Sequence, residues 1–330
     1  MSELRELYVD CRVHHVDLLD SMSTLQAVVK LNNRAGNEDF AESMKSLGAG
    51  ALSVAKWAGG HTLDLLDKGI KTAGAQLTKT FDSNKSLIGK IPNAMKDDEN
   101  HAFTFSGPLV GALTSTGQWS DFGSDLDELI KTLEGFQKHA HDVKDHLSRE
   151  LVVARKLKNV KTTNDVMNVV REFEGLHYPE YKLPHKNGEW MVSEVLPSGK
   201  VIKCKFKDND VVYSMSGDKP AGESHTLEAS KSDLQSVLAK IAKLNDLHLQ
   251  VKGSYADYLD FVKSWSSVVE EASKGLSETT NVGSQIISEA ESILKGNAHA
   301  LAFYSGFTPR VVSYVDKYIQ DVLGVLSKVI

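Results

Sequence analysis

The sequence predicts a mainly α-helical protein in which long helices carry one small β-sheet. Apolar residues recur every three or four positions over most of the 330 residues, and only 7 prolines interrupt them. A single region, residues 189–216, changes to short runs rich in β-branched and aromatic residues. We therefore expect long antiparallel helices that form a coiled-coil-like stalk, with a three-stranded β-meander near one end.

Changes of pattern divide the chain into five regions. In order, they are an N-terminal helical region, an irregular connection, a helical arm, the β-meander and a C-terminal helical region: 1–81, 82–123, 124–187, 188–217 and 218–330. The first region is predicted to hold three helices, which asparagine and glycine residues separate: 1–33, 40–56 and 62–80. The connection shows no sustained period, and a loop of its length is unusual within a compact domain.

The helical arm has the clearest helical pattern. Ser124 is a candidate N-cap, with Asp127 at the carboxylate position of a capping box. Apolar residues then alternate in steps of three and four, which is the seam of a coiled coil: Leu126, Leu129, Leu133, Phe136, Ala140, Val143 and Leu147. A shorter helix over 163–175 follows.

The C-terminal region is predicted to contain one helix over 232–274 that continues through Gly253 and ends at Gly275. Its apolar seam keeps its phase on both sides of Gly253, and His248 is its only polar member. A seam histidine either fixes the register of the packed helices or responds to pH, and the register role is favoured. Amphipathic helices are expected over 281–295 and 309–329.

Charge and composition exclude several classes of protein. The net charge of −6 argues against a protein that coats nucleic acid by neutralising phosphates. Cys11 and Cys204 lie far apart and match no metal or redox spacing, which suits a reducing compartment. The first residues lack the apolar core of a signal peptide, and no stretch reaches the length of a membrane span. We expect synthesis in a cytoplasm.

The densest group of ionisable residues lies in the helical arm, at His139, His141, Asp142, Asp145 and His146. Asp142 and His146 share a helix face and have a spacing that can bind a metal ion, but no second motif completes a coordination shell. A solvated helix face is therefore expected. No nucleophile elbow, phosphate loop or zinc motif occurs in the sequence. We expect no enzymatic activity, no cofactor and no metal.

The β-meander supplies the candidate partner surface. Trp190, Val201, Phe206 and Tyr213 offer more apolar surface than a small sheet can bury by itself. Either the helices cover that surface or a partner does. Recognition of a partner predicts that residues 188–217 could be removed without unfolding the helices.

The opening Arg5-Glu-Leu-Tyr-Val-Asp and the small-residue helices of Met22–Thr80, with the order of the other features, resemble the internal head proteins of the phiKZ-like giant bacteriophages. The resemblance concerns overall character over most of the chain. It implies a helical, non-enzymatic protein that is made in the host cytoplasm and packaged in the virion interior. Its implied partners are other virion or assembly proteins, with self-association open, whereas the acidic charge puts direct DNA binding in doubt.

The resemblance also implies processing by a prohead protease, which cuts after Ser, Ala or Gly, any residue, and Glu. Three sites fit this pattern, at Gly36-Asn37-Glu38, Ser148-Arg149-Glu150 and Ala221-Gly222-Glu223. The second is expected in the middle of a helix, so Glu38 and Glu223, in predicted loops, are the candidate processing sites. Two other functions remain open: a membrane-active, pore-forming type of helical protein built around Leu47–Ile70, and a cytoplasmic adaptor that presents the meander.

Overall fold

The structure, a computed structural model, describes residues 2–45, 61–94, 100–207, 210–278, 290, 300 and 302–327. Long helices pack side by side, and two small antiparallel sheets lie against them. The mainly helical class predicted from the sequence is confirmed, whereas the antiparallel stalk, the three-stranded meander and the irregular connection need correction.

The N-terminal helices are longer than predicted. Helix α1 spans Ser2–Lys45 and continues through the Asn32, Asn33 and Gly36 positions where a break was expected. Helix α2 spans His61–Ala94 and extends well past residue 80. The apolar period in α2 simply continues, because Leu87 and Ile91 are fully buried. Residues 46–60, with most of the predicted helix 40–56, lie outside the described residues.

The region 82–123 is not an irregular connection. After α2 it forms strand β1 (Asn100–Phe105), helix α3 (Gly107–Leu113) and a 3₁₀ turn (Trp119–Asp121). Its glycines are positions of close backbone packing. A Cβ atom on Gly111 would lie 2.4 Å from the carbonyl oxygen of Pro220. The glycines that resemble a loop in the sequence therefore allow α3 to contact a distant segment.

Helix α4 spans Phe122–Arg155, and every residue of the predicted heptad seam is buried. The predicted cap at Ser124 is wrong, since this hydroxyl donates to the Asp121 carbonyl oxygen at 2.9 Å from inside the first turn. The carboxylate of Asp125 instead accepts bonds from the backbone N–H and hydroxyl of Ser115. The predicted short helix is confirmed as α5, Thr163–Glu174, which a capping box of Thr162 and Asp165 begins.

The meander is a four-stranded antiparallel sheet. Its strands are consecutive in space and sequence: β2 (His185–Asn187), β3 (Trp190–Val192), β4 (Val201–Lys207) and β5 (Asp210–Ser216). Strand β2 was missed because its three residues are exposed and polar, so they carry no apolar signal. Ile202 and Cys204 of β4 and Val211 of β5 point into the protein and are buried.

A second sheet was not predicted. Strand β6 (His225–Ser230) pairs antiparallel with β1, so that Phe103 lies opposite Leu227. The partners are more than 100 residues apart, and neither six-residue strand has a strong apolar period. Long-range pairing of this kind depends on the surrounding fold more than on local propensity.

Helix α6 spans Lys231–Glu278 without interruption, so the predicted continuity through Gly253 is confirmed. At 1.5 Å per residue its 48 residues extend about 72 Å. Gly275 does not end the helix. A Cβ atom at Gly275 would lie 2.4 Å from the Leu157 carbonyl oxygen, so this glycine allows close packing on the turn after α4.

Helix α7, Thr308–Leu326, continues directly from a π-helical turn at Ala302–Phe307. The sequence predicts an amphipathic helix here, but 14 of its 19 residues are buried, including Asp316 and Gln320. A helix buried around most of its circumference lies inside a bundle. Apart from residue 290, the predicted helix 281–295 lies outside the described residues.

Helices α4 and α6 run parallel. Four ion pairs join α6 to α4 and to the 3₁₀ turn that follows it, and their positions increase together along both helices: Asp127–Lys240, Glu134–Lys243, Lys144–Asp257 and Lys158–Glu271. The predicted antiparallel arrangement of this pair is therefore wrong. Short connections favour antiparallel neighbours, whereas the 75 residues between α4 and α6 return the chain to the end of the bundle where α4 begins.

Helix α1 is antiparallel to α2 and to α7, and α6 is antiparallel to α2. Thr80 of α2 donates to the His14 carbonyl oxygen of α1 at 3.3 Å, and Lys263 of α6 reaches Asp67 of α2 at 3.4 Å. Tyr8, near the start of α1, packs on Gly324, near the end of α7. Helix α7 thus lies among α1, α2, α4 and α6, and its apolar side chains form the centre of the core.

The two glycines of α6 give a matched test of this packing. We expect Gly253→Ala to stabilise the protein by about 1 kcal/mol, because a Cβ there meets no atom within 4 Å and alanine favours helix. Gly275→Ala should destabilise it by about 1–3 kcal/mol, because its Cβ would collide with a backbone carbonyl. Urea unfolding measures both changes, and changes of the same sign would contradict the packing described for α6.

Candidate functional site

The centre of the bundle holds a buried carboxylate between two histidines. Asp316 of α7 is fully buried, and its Oδ2 is hydrogen-bonded to Nδ1 of His15 on α1. On the other side, Oδ1 lies 3.8 Å from Nε2 of His248 on α6. Three helices therefore contribute to one site, which we call the His–Asp–His centre.

A second polar layer lies one helical turn away. Gln320 of α7 donates to Oδ1 of Asn84 on α2 at 2.7 Å, and Asn84 donates to Oδ1 of Asn245 on α6 at 3.0 Å. Asn245 in turn donates to the Phe81 carbonyl oxygen of α2 at 3.1 Å. This amide chain links α7, α2 and α6 through side chains that are almost completely buried.

Because Asp316 and His248 are buried, the groups next to them determine whether a charge on either is tolerated. An unpaired charge in the interior costs several kcal/mol, so Asp316 needs a hydrogen-bonded or cationic neighbour. His248 is only 1% exposed, and neither of its ring nitrogens has a hydrogen bond to a described residue. Burial lowers the pKa of His248, while the nearby Asp316 carboxylate acts in the opposite direction. His248 is therefore a buried member of the α6 seam, as the sequence predicts.

A second enclosed cluster connects α4 with the four-stranded sheet. Nε2 of His139 lies 2.8 Å from the hydroxyl of Tyr213 on β5, and that hydroxyl donates to Tyr178 at 3.1 Å. The imidazole also stacks on Tyr181 with ring centroids 4.7 Å apart. Burial lowers the pKa of His139 to about 3, so the ring is neutral at physiological pH.

The ionisable group of the arm is divided between two faces of α4. His139 and His146 are each 2% exposed, so the solvated face predicted for them is wrong, and His146 pairs with the buried Glu150 at 3.0 Å. His141 and Asp145 are exposed and form a weak pair at 3.5 Å. Within the described residues, no three histidine, cysteine or acidic side chains are placed to hold a metal ion.

The candidate partner surface on the meander is also divided. Tyr213 points inward and stacks on Phe307 of the π-helical turn, with ring centroids 5.0 Å apart. Phe206 is 39% exposed near the end of β4. Trp190 and Val201 are half-buried, and the Lys205 ammonium lies 4.9 Å from the centre of the Trp190 ring. Tyr213 is therefore removed from the candidate surface.

The helices cover the inner face of the sheet. Ile202 of β4 shares a small cavity with Leu129 and Leu133 of α4 and with Val311 and Val315 of α7. Residues 188–217 thus complete the core on one side of the bundle. The expectation that they could be removed without loss of stability does not agree with this packing, and we expect their removal to destabilise the helices.

The two candidate processing sites lie in ordered backbone. Glu38 is inside helix α1, so its prediction as a loop residue is wrong. Glu223 has an exposed side chain, but its backbone N–H donates to Gly117 at 3.1 Å and its carboxylate accepts from the Trp119 N–H at 2.9 Å. A Cβ on the preceding Gly222 would lie 1.5 Å from the Gly107 oxygen. Cleavage at either site would require local unfolding.

Both cysteines are buried thiols. Cys11 lies on α1 near the His–Asp–His centre, and Cys204 lies on β4, on the inner face of the sheet near Tyr181. Burial raises the pKa of each thiol to about 12. Because the thiolate is the reactive form, both groups are unreactive in the folded protein.

The sequence pattern missed most members of the polar centre. His15, Asn84 and Asn245 resemble ordinary polar positions of amphipathic helices. The signal that could have found the site is in α7, where Asp316 and Gln320 are four residues apart in a segment that is otherwise apolar around most of its surface. Polar residues in such a helix have to find buried partners.

Comparison with known proteins gives no assignment: no family model, no curated protein and no solved structure has a significant match to this chain. None of the helices in the described part of the chain is both long enough and apolar enough to cross a membrane.

The lowered pKa of His139 predicts acid sensitivity. The unfolded state takes up a proton near pH 6.5, whereas the folded state does so only near pH 3, so stability is lost as the pH falls through this range. Between pH 7.5 and pH 5, His139 alone should lower the free energy of unfolding by about 2 kcal/mol.

In urea unfolding at pH 7.5 and pH 5, the unfolding free energy of His139→Gln should fall by about 2 kcal/mol less than that of the original protein. His141→Gln, at an exposed position of the same helix, is the control and should behave like the original protein. An unchanged pH dependence in His139→Gln would contradict the burial of a neutral His139.

Proposed function

We propose that this protein is a non-enzymatic structural component of a bacteriophage virion, packaged in the capsid interior, which acts through contacts with other virion or assembly proteins. The observation that carries the non-enzymatic role is the burial of the side chains that form the two polar clusters and of both thiols. His15, His139, His248 and both cysteines are enclosed in the core, where a substrate would have to unfold the bundle to reach them. The virion assignment is supported by the sequence resemblance.

A row of apolar side chains on α1 supports a role in protein contacts. Val9, Val13 and Val16 are 53%, 52% and 53% exposed, and their spacing places them on one helix face. Isolated exposed apolar residues are ordinary, but a contiguous exposed row often marks an interaction site. We call this row the valine stripe and propose that another virion protein binds it.

The acidic charge of the chain keeps direct DNA condensation outside the proposal. In this scheme the protein is made in the host cytoplasm, assembles with its partners and is enclosed with the genome. Cleavage after Glu38 or Glu223, if it occurs, belongs to a stage before the bundle has closed, since both positions lie in ordered backbone of the folded chain.

A membrane-active role is less well supported by the packing of α2. Leu66, Ile70 and Ala73, which belong to or follow the apolar segment considered for membrane insertion, are buried within the bundle. Insertion would first have to expose them. We therefore expect no dye release when the purified protein is added to anionic or zwitterionic vesicles at neutral pH, and release at low protein concentration would favour the pore-forming alternative.

The virion assignment is tested by following an epitope-tagged copy of the chain through a phage infection. Mass spectrometry of density-purified particles should detect the tagged chain, and peptides that begin at Asp39 or Ser224 would identify processing after Glu38 or Glu223. Replacing all three valines of the stripe by serine should reduce incorporation at least fivefold without changing the helical circular dichroism.

The matched control is Val152→Ser, a valine on α4 that is 57% exposed and lies outside the stripe. Incorporation of this variant should equal that of the unchanged chain. Absence of the unchanged chain from particles would refute the virion assignment. Equal incorporation of the stripe variant would remove the stripe from the proposed contact.

A further inference from the structure

The His–Asp–His centre places two imidazoles against one carboxylate. Asp316 is 0% exposed, His248 is 1% exposed and His15 is 5% exposed, so water screens none of the three effectively. The three side chains come from α7, α6 and α1. Their combined charge therefore bears directly on whether these helices stay together.

One carboxylate can balance only one imidazolium. Oδ2 of Asp316 is already hydrogen-bonded to His15, so only Oδ1, 3.8 Å from Nε2, faces His248. A further proton on His248 leaves one unpaired positive charge in the interior. This charge is stabilised only if the helices separate and water reaches it.

The surroundings offer no second carboxylate at this depth among the described residues. Asp316 and His15 are the ionisable groups that influence His248 electrostatically. On α1, the Cys11 thiol is neutral, since burial raises its pKa to about 12. Asp321 of α7 lies farther from the centre, where burial raises its pKa and Lys317, Arg12, Lys219 and His15 act in the opposite direction. Helix α2 contributes the uncharged Ser83 and Asn84.

We propose that the His–Asp–His centre is an acid-sensitive switch, which holds α7 between α1 and α6 near neutral pH and loosens their contact when His248 is protonated. The proposal does not depend on the virion assignment. It gives the bundle a defined response to an acidic compartment or medium, with the other parts of the core still folded.

The direction of the response follows from linkage. Burial lowers the pKa of His248 in the closed state, whereas a solvated histidine titrates near pH 6.5. The open state therefore binds more protons below pH 6.5, and the closed state loses stability as the pH falls. Between pH 7.5 and pH 5 the open population should rise by up to about 30-fold.

Cys11 supplies the readout, because it is fully buried beside Asp316 and becomes accessible when α1 and α7 separate. The experiment uses the Cys204→Ser protein and 4,4′-dithiodipyridine, a reagent that reacts with thiols at acidic pH, with rates corrected by a free model thiol. We expect Cys11 to be labelled at least tenfold faster at pH 5 than at pH 7.5. In the reciprocal Cys11→Ser protein, Cys204 on the inner face of the sheet should stay protected at both pH values.

Two substitutions test the assignment to His248. His248→Gln cannot take up the proton, and His15→Gln leaves the Asp316 carboxylate free to balance a protonated His248, so the acid acceleration should fall below twofold in both. His139→Gln, in the other buried cluster, should retain it. Circular dichroism at pH 7.5 checks that each variant is folded.

Three results would overturn the proposal. The first is an equal labelling rate of Cys11 at pH 5 and pH 7.5 in the protein that keeps both His15 and His248. This measurement does not depend on whether the histidine variants fold. The second is simultaneous labelling of Cys11 and Cys204 at pH 5 with loss of helical signal, which would mean global unfolding. The third is full acid acceleration in a folded His248→Gln protein.

Discussion

The burial of the Asp316 carboxylate is the constraint on which the arrangement of the helices depends. A charge at this depth is tolerated only with partners in fixed positions. The partners of Asp316 are His15 on α1, which is hydrogen-bonded to it, and His248 on α6, which faces it. In the adjacent amide layer, Gln320 of α7 donates to Asn84 of α2. Moving any of these helices by one turn along α7 would leave a buried polar group without its partner. The polar centre thus selects one register among many apolar packings of similar burial.

Stability comes mainly from the apolar surroundings of the same helix. Valine, leucine and isoleucine side chains of α7 are buried on several sides at once. Buried ion pairs are weak evidence for stability, but they can give specificity to a packing that apolar contacts alone would leave degenerate. The two contributions are therefore complementary: the apolar faces hold the bundle together, and the polar layers determine how its helices align.

The position of the four-stranded sheet follows from the segment just before α7. The π-helical turn at residues 302–307 directs Phe303 and Phe307 toward the sheet, where Tyr213 and His139 pack against them. The sheet therefore extends the core and is not an appendage on a stalk. Its opposite face and the valine stripe remain available to partners, which is consistent with a protein that acts through its surface.

The sequence predicted the long helices well, because a three–four apolar period that persists over 30 or more residues is typical of a packed helix and of little else. Helix α6 and the seam of α4 show this. The relative direction of these two helices could not be predicted, because it depends on how the 75 residues between them return along the bundle. The β1–β6 pair and the glycine contacts of α3 were missed for the same reason, since Phe103 and Gly111 have partners more than 100 residues away.

The polar centre was only partly predictable. His248 was recognised as the single polar member of a seam, but nothing near it in the sequence identifies Asp316 as its neighbour. Function was less accessible still, since no nucleophile elbow, phosphate loop or zinc motif occurs in the sequence and the candidate partner surface changes once Tyr213 is placed inside.

Hydrogen–deuterium exchange of α7 at neutral pH tests the central claim most directly. If α7 is the central helix, amides of Val311–Leu323 should exchange only through global unfolding and be among the slowest in the protein. In Asp316→Asn, which removes the buried charge but keeps the shape, the α7 amides should exchange faster relative to those of α4, because the alignment of the helices has lost its main constraint. Fast exchange of α7 in the unchanged protein, on the timescale of exposed helix ends, would contradict the central position of this helix.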